Sequence, residues 1–416
     1  MNKYEKAPRS FEVIIEKLVY GGSGFGRHQG KVVFVPFSVP GDRLLVRPVE
    51  DKKTFTRAEI IRILKPGKGR VASVCPYFAN CGGCHWQQLE YSGQIEAKRR
   101  ILEEIFHHRF PQTRELPITM RGCAHPFGYR SRARVQLRGA GSKASVGFFR
   151  TRSHSVQDIE NCPLFRPSLN EALSSIRQFK HRIDPDSNPQ EMDMACSQEE
   201  DLWAVARVGK EQSDSVPTLS GSGKRDELLL KRKVGEFYYS VSASVFFQAN
   251  DFMVPDLVSV VRESIEGAGQ DSALDLFAGV GLFSLPLARV FRKVTAVENS
   301  PAACRLCSAN ATAAGITNLK AVCADVVTWM KSETSSGVPK PDLIILDPPR
   351  TGAGEDVMEQ ILKQEPEIIL YVSCDPQTLV RDLMFSARHY RIDSVEALDM
   401  FPQTYHFETV VRLKKN

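Results

Sequence analysis

The chain has 416 residues, room for two to four domains of about 100–200 residues each, and its 42% hydrophobic and 25% charged residues are the balance of an ordinary globular protein. No apolar run approaches the roughly 20 residues that cross a membrane, and the opening MNKYEKAPRSFEVIIEK has no signal-peptide core, so a cytoplasmic monomer with no membrane partner is expected. Net charge is +6, and ten cysteines in a reducing compartment argue against a disulfide framework and for metal binding or catalysis.

The positive charge is concentrated at the start: residues 1–70 carry 15 Lys and Arg against 7 Asp and Glu, a net +8. Here FEVIIEKLVY, GGSGFGRHQG, KVVFVPFSV, RLLVRPVE and FTRAEIIRIL alternate β-like runs with Gly and Pro turns. Five short strands of this kind predict an OB-type barrel over residues 8–66, a fold whose open face commonly binds oligonucleotides. KPGKGR at 65–70 reads as a linker.

CPYFANCGGC at 75–84 brings Cys75, Cys81 and Cys84 together, and their spacing leaves zinc, iron with sulfide, and thiol chemistry open. LEYSGQIEAKRRILEEIFHHRF has apolar residues at helical spacing, which predicts a helix with His107 and His108 at a solvated end. Residues 121–152 hold eight Lys or Arg and no acid. In GYRSRARVQLR a strand puts Arg130, Arg132 and Arg134 on one face, which suits a row of RNA phosphates. Residues 183–226 are polar and rich in Ser, Pro and Gly, and are expected to be mostly loops around one strand, LWAVARV. The span 67–235 is therefore a central α+β domain.

Over 236–416 the pattern becomes strand, helix, strand, helix. ALDLFAG, KVTAVE, LKAVCAD, DLIILDPP and IILYVSC are buried parallel-strand runs, and GLFSLPLARVF and SPAACRLCSANATAAG are helix-length connections. They predict a doubly wound, Rossmann-like sheet with its ligand at the carboxyl ends of the strands. LDLFAGVG begins with an acid, Asp275, and its Gly279 and Gly281 admit a close ligand; Glu298 ends the next strand and Asp325 the third. Without GxGxxG, this set favours S-adenosylmethionine over a dinucleotide.

The fourth strand ends in Asp347 of DPPR and the fifth in Cys374 of SCD, so a carboxylate and a thiol converge where a methyl group would be presented. Arg350 stands where methylases of exocyclic amines carry a stacking aromatic. A thiolate is needed to methylate C5 of a pyrimidine: attack at C6 makes C5 nucleophilic, and a base must then remove the C5 proton. Glu408 in HFETVVRL, at the start of an expected final antiparallel strand, is the candidate base. Cys123, Cys196, Cys304, Cys307 and Cys323 are read as structural.

Together these motifs resemble the S-adenosylmethionine-dependent RNA 5-methyluridine methyltransferases, particularly their iron–sulfur subgroup acting on 23S ribosomal RNA, over nearly the whole chain. The resemblance implies that the barrel is a TRAM domain, and that Cys75, Cys81, Cys84 and Cys162 of IENCPLF hold a [4Fe–4S] cluster. It places cofactor contacts on Gln248, on Phe277 to Gly281, and on Glu298 and Asp325. Cys374 becomes the nucleophile, Glu408 the base and Asp347 the active-site aspartate. FAGVG departs mildly from the FCGxG of many members. The resemblance also admits the T-loop of transfer RNA as substrate. Two further readings are an RNA-binding module with a vestigial methylase site and a radical enzyme, although the x5 spacing and a fourth cysteine suggest a closed cluster.

Overall fold

The computed structural model describes residues 10–139, 144–179, 190–198, 202–208, 219–220, 228–335 and 340–416. Among them, β1 (Phe11–Leu18), β2 (Gly24–His28), β3 (Lys31–Val35), β4 (Arg43–Asp51) and β5 (Phe55–Lys65) close into a barrel in the order β1-β2-β3-β5-β4. Val13, Ile15, Val33, Val35, Leu44 and Val46 fill its interior because strand side chains alternate between faces. The expected linker is not free: Gly67 N–H donates to the buried Asp42 carboxylate at 2.8 Å, and Arg70 donates to it as well at 2.9 Å.

Helix α1 (Tyr91–Arg109) follows, then β6 (Ile118–Arg121). Beyond them β7 (Arg132–Arg138), β8 (Ser145–Phe149), β9 (Val156–Asp158), α2 (Pro167–Phe179), β10 (Gln190–Cys196), β11 (Trp203–Arg207) and β12 (Leu219–Ser220) build a second unit, its strands ordered β12-β11-β10-β7-β8-β9 among the described residues. Residues 190–196, expected to be loop, are an interior strand. Met192, Met194 and Cys196 enter the core while Asp193 points outward, so its polar residues marked only the solvent face. The expected loops at 183–189, 199–201, 209–218 and 221–227 lie outside the described residues.

A hairpin, β13 (Leu230–Val234) and β14 (Phe237–Val241), and helix α3 (Val254–Ser264) lead into the methylase sheet. That sheet is formed by β15 (Ser272–Leu276), β16 (Lys293–Glu298), β17 (Leu319–Cys323), β18 (Leu343–Leu346), β19 (Ile368–Ser373), β20 (Tyr390–Leu398) and β21 (Glu408–Lys415). With β6 included, the order among the described residues is β17-β16-β15-β18-β19-β21-β20-β6. The five expected strands are parallel, and β21 runs antiparallel to β19 as expected. Leu343 and Ile345 face one core and Ile344 and Leu346 the other, the two-sided burial that makes such strands continuously apolar.

The connections are α4 (Ser284–Leu287), α5 (Pro301–Ala313), α6 (Val326–Ser335), α7 (Gly354–Gln364) and α8 (Pro376–Ser386). GLFSLPLARVF is helical for only one regular turn, because Arg289 and Val290 bond three residues back rather than four. Two elements of the sheet escape sequence inspection: β20, and the edge strand β6, which is drawn from the central segment. Among the described residues no helix is long and apolar enough to cross a membrane.

Candidate active site

The carboxyl edge of β15 and β16 forms one half of the site. Gly281 has φ +90°, and a Cβ there would meet Leu285 at 2.8 Å and the Cys307 sulfur at 2.9 Å, so only glycine closes this loop. Phe277 and Gly279 also have positive φ, which turns the loop back over the strand ends. Gly279 N–H donates to Glu298 at 2.9 Å and Ser300 N–H to its other oxygen at 2.7 Å, which fixes the Glu298 carboxylate at the tip of β16. Asp325 caps α6 by accepting from Thr328 N–H at 2.9 Å, and these bonds hold its carboxyl below the usual range.

Asp275 is fully buried. Its Oδ2 accepts from Ser284, its Oδ1 has no partner among the described residues, and burial pushes its pKa up to about 7. A buried, unpartnered acceptor beside a glycine loop fits an amine or hydroxyl donor of S-adenosylmethionine. Since the unfolded value is 3.8, the folded protein alone keeps this proton between about pH 4 and 7. Stability therefore falls as pH rises through that window. In the cofactor-free protein Asp275→Asn should flatten this decline by on the order of 2 kcal/mol, read from urea midpoints at pH 4.5 and 7.5; an unchanged slope would contradict the assignment.

The other half lies at β18, β19 and β21. Tyr371 to Ser373 pair with Val411 to Thr409, and one more step of that register sets Cys374 opposite Glu408. Glu408 is 2% exposed, and its Oε2 has no partner among the described residues. Burial, then the neighbouring Asp347, raises its pKa well above the carboxylate range, while Arg350 opposes this. Asp347 is likewise raised by burial and by Asp275, and the buried Gln248 reaches it at 3.5 Å. The Cys374 thiol is pushed up to about 12, by burial first and then by Glu408 and Asp347. Arg350 and the N-terminus of α8, capped by Asp375, supply the opposing positive potential.

The three central arginines do not form a phosphate-facing row, which corrects the sequence expectation. Arg132 turns inward and donates to the carbonyls of Ser242 and Ala243 at 3.1 and 2.9 Å. Arg134 is paired with Asp193 at 2.9 Å. Arg130 lies outside β7, bonds the Arg132 carbonyl at 2.8 Å and lines the cysteine cavity. Strand periodicity set a shared face but not its neighbours.

Cys75, Cys81, Cys84 and Cys162 come together around one cavity, although Cys162 is 78 positions beyond Cys84. Gln87 donates to the Cys84 sulfur at 3.2 Å and Gly83 N–H to that of Cys81 at 3.4 Å. Burial pushes Cys84 up to about 12 and Cys162 up to about 11. Among the described residues, no three His, Cys, Asp or Glu form a ready-made single-ion site. Cys123, Cys196, Cys304 and Cys307 are buried, whereas Cys323 is exposed at the end of β17.

Sequence inspection missed the aromatic wall of the site. Tyr20, in the turn after β1, lies near Asp375 beside Cys374: burial, then that carboxylate, raises its phenol above the usual range. Tyr405 contacts Tyr20, His85 and His406 at ring-centroid distances of 5.2, 4.6 and 4.1 Å. Residues 399–407, which deliver Glu408, are held from α1 by a buried Lys98–Asp399 pair at 2.5 Å and by Gln94 bonds to Gln403 at 2.9 and 3.0 Å.

The family model described as tRNA (Uracil-5-)-methyltransferase matches residues 224–416, and the TRAM domain model matches 9–61. An uncharacterized RNA methyltransferase of Thermosynechococcus vestitus is 31% identical over 450 residues, covering 97% of this chain and 98% of that protein. The 23S rRNA (uracil(1939)-C(5))-methyltransferase RlmD of Shewanella amazonensis is 32% identical, covering 98% and 96%. Among solved structures, the Pyrococcus abyssi tRNA (uracil-54, C5)-methyltransferase in complex with S-adenosyl-L-homocysteine matches with TM-score 0.74 and 26% identity, over 96% of this chain and 100% of that one.

Proposed function

The chain belongs to the RNA uracil-5-methyltransferase family, with an N-terminal TRAM domain and a C-terminal S-adenosylmethionine-dependent methyltransferase fold, and from that premise we propose that it methylates C5 of a uridine in 23S ribosomal RNA. The observation that carries the mechanism is the β19–β21 register that brings Cys374 and Glu408 face to face. S-adenosylmethionine, when bound, supplies a methyl group on a positively charged sulfur; Asp275, Glu298, Asp325, Gln248 and the Phe277–Gly281 loop are the residues to hold it. Cys374, as the thiolate, bonds to C6 of a uridine flipped from its stack, and the C5–C6 electron pair moves toward the O4 carbonyl. C5 then takes the methyl group. Glu408 removes the C5 proton, the double bond re-forms and the thiolate leaves.

The Shewanella relative supports ribosomal RNA, and the Pyrococcus structure keeps the transfer-RNA T-loop as the alternative. Mapping 5-methyluridine in both RNAs from a strain lacking the protein decides between them: loss confined to transfer RNA would overturn the ribosomal assignment.

A [4Fe–4S] cluster on Cys75, Cys81, Cys84 and Cys162 is part of the proposal. It is supported by four thiols around one cavity and by N–H groups aimed at two of the sulfurs. Protein purified without oxygen should be brown and contain iron and sulfide. Cys81→Ser should lose them and bind RNA at least tenfold more weakly, while its affinity for S-adenosylhomocysteine stays within about twofold. Colourless protein with stoichiometric zinc would refute the cluster.

A further inference from the structure

Beside the reaction site lies a groove of about 450 Å³ to which none of the roles above extends. Its walls come from all three parts of the chain: the barrel turn at Gly22, the cysteine loop at Gly82 and His85, the Phe149–Arg152 strip at the end of β8, and Tyr405. A volume of this size accommodates a nucleotide, since small-ligand pockets run from roughly 300 to 1,000 Å³.

The chemistry of the walls is uneven in a useful way. Tyr405 and His85 give two flat rings, set edge to face with centroids 4.6 Å apart. No acid lines the groove. Arg150 and Arg152 are exposed, and neither guanidinium has an ion-pair partner among the described residues, in contrast to Arg134. The cysteine loop sets this edge: Gly82 N–H donates to the Phe149 carbonyl at 2.8 Å, Thr151 N–H donates to the Asn80 carbonyl at 3.0 Å, and a Cβ on Gly82 would meet the Phe149 oxygen at 2.9 Å. Tyr405 ties the groove to the catalytic side of the fold: its ring packs against His406, two residues before Glu408, at 4.1 Å and against Tyr20 at 5.2 Å.

We propose that this groove binds an unpaired nucleotide adjoining the methylated uridine, with its base stacked on Tyr405, His85 at the edge of that stack, and its phosphates on Arg150 and Arg152. The inference rests on the RNA methyltransferase reading and names how that substrate is gripped. Stacking on aromatic faces is tolerant of base identity, so the groove selects single-stranded character rather than sequence. A target presented in a loop brings such a neighbour with it, and a flipped base in an intact duplex does not.

The test uses the full-length protein and a fluorescent stem–loop RNA with the target uridine in an unpaired loop. The double variant Arg150→Ala/Arg152→Ala should bind it about tenfold more weakly. Its slope of log affinity against log salt should fall by about 1.4, from about 0.7 per phosphate contact on a single strand. KM for the RNA should rise in step, with kcat and S-adenosylhomocysteine affinity unchanged. The control Arg292→Ala/Arg391→Ala removes the same charge from the opposite edge of the sheet and should change affinity less than twofold. Equal losses in both variants, or no loss in the first, would overturn the groove while leaving the methylase reading intact. Absence of methyl transfer by the unaltered protein would remove the reading itself, and the groove with it.

Discussion

Cys374→Ala will lower 5-methyluridine formation by about 10⁴-fold or more, measured as transfer of labelled methyl groups to RNA, while leaving S-adenosylhomocysteine affinity within about twofold. The size of the effect follows from the substrate. C5 of uracil is barely nucleophilic until a group adds at C6, so no binding contact can substitute for the missing sulfur. Burial and two acids hold the free thiol up to about 12, so the resting protein carries it protonated, guarded against oxidation. Burial also raises Asp347 and Glu408, which lessens the repulsion that full ionisation of all three groups would impose. When the Cys374 proton leaves, Arg350 and the α8 N-terminus stabilise the thiolate left behind. Cys374→Ser should be nearly as inactive, since an alcohol at that position is a far weaker nucleophile. Turnover by Cys374→Ala within tenfold of the unaltered protein would sink the covalent mechanism.

Why the sheet was legible and the RNA face was not is a matter of which interactions are local. Each parallel strand is buried on both sides, so DLIILDPP and IILYVSC announce themselves, and the site residues follow because they sit at the strands' ends. The start of the last strand at Glu408 was legible for the same reason. The arginines fail this logic. Arg132 finds carbonyls more than 100 residues away and Arg134 finds Asp193, neither of which a period-two pattern can specify. Residues 190–196 misled in the opposite sense, with polar residues that only mark the solvent side of an interior strand. Strand β6 was missed because a four-residue edge strand has too little pattern to read. Tyr20 and Tyr405 carry no local signal at all. They reach Asp375 and His85 only through docking of the barrel and of the 399–407 loop, the latter fixed by the buried Lys98–Asp399 pair.

Glu408→Gln should still attack and methylate but not release: a covalent protein–RNA adduct stable to denaturing gels should accumulate to about one per protein, with multiple turnover reduced by about 10²–10⁴-fold. Glutamine keeps the volume and polarity of a side chain that is 2% exposed, so the fold survives, but it cannot accept the C5 proton. Without that proton transfer the enolate cannot re-form and the Cys374–C6 bond has no route to break. The buried setting strengthens the contrast, because a carboxylate whose pKa is raised by desolvation is a stronger base once ionised, and Arg350 favours that ionised form. The sign of the pH dependence follows: in the unaltered protein adduct breakdown should quicken as pH rises and Glu408 ionises, whereas in Glu408→Gln it should be flat. The double variant Cys374→Ala/Glu408→Gln should trap nothing, which separates a true adduct from tight binding. Should Glu408→Gln instead turn over freely, the proton must leave by another group, and Asp347, facing the same acids across the site, would be the one to examine.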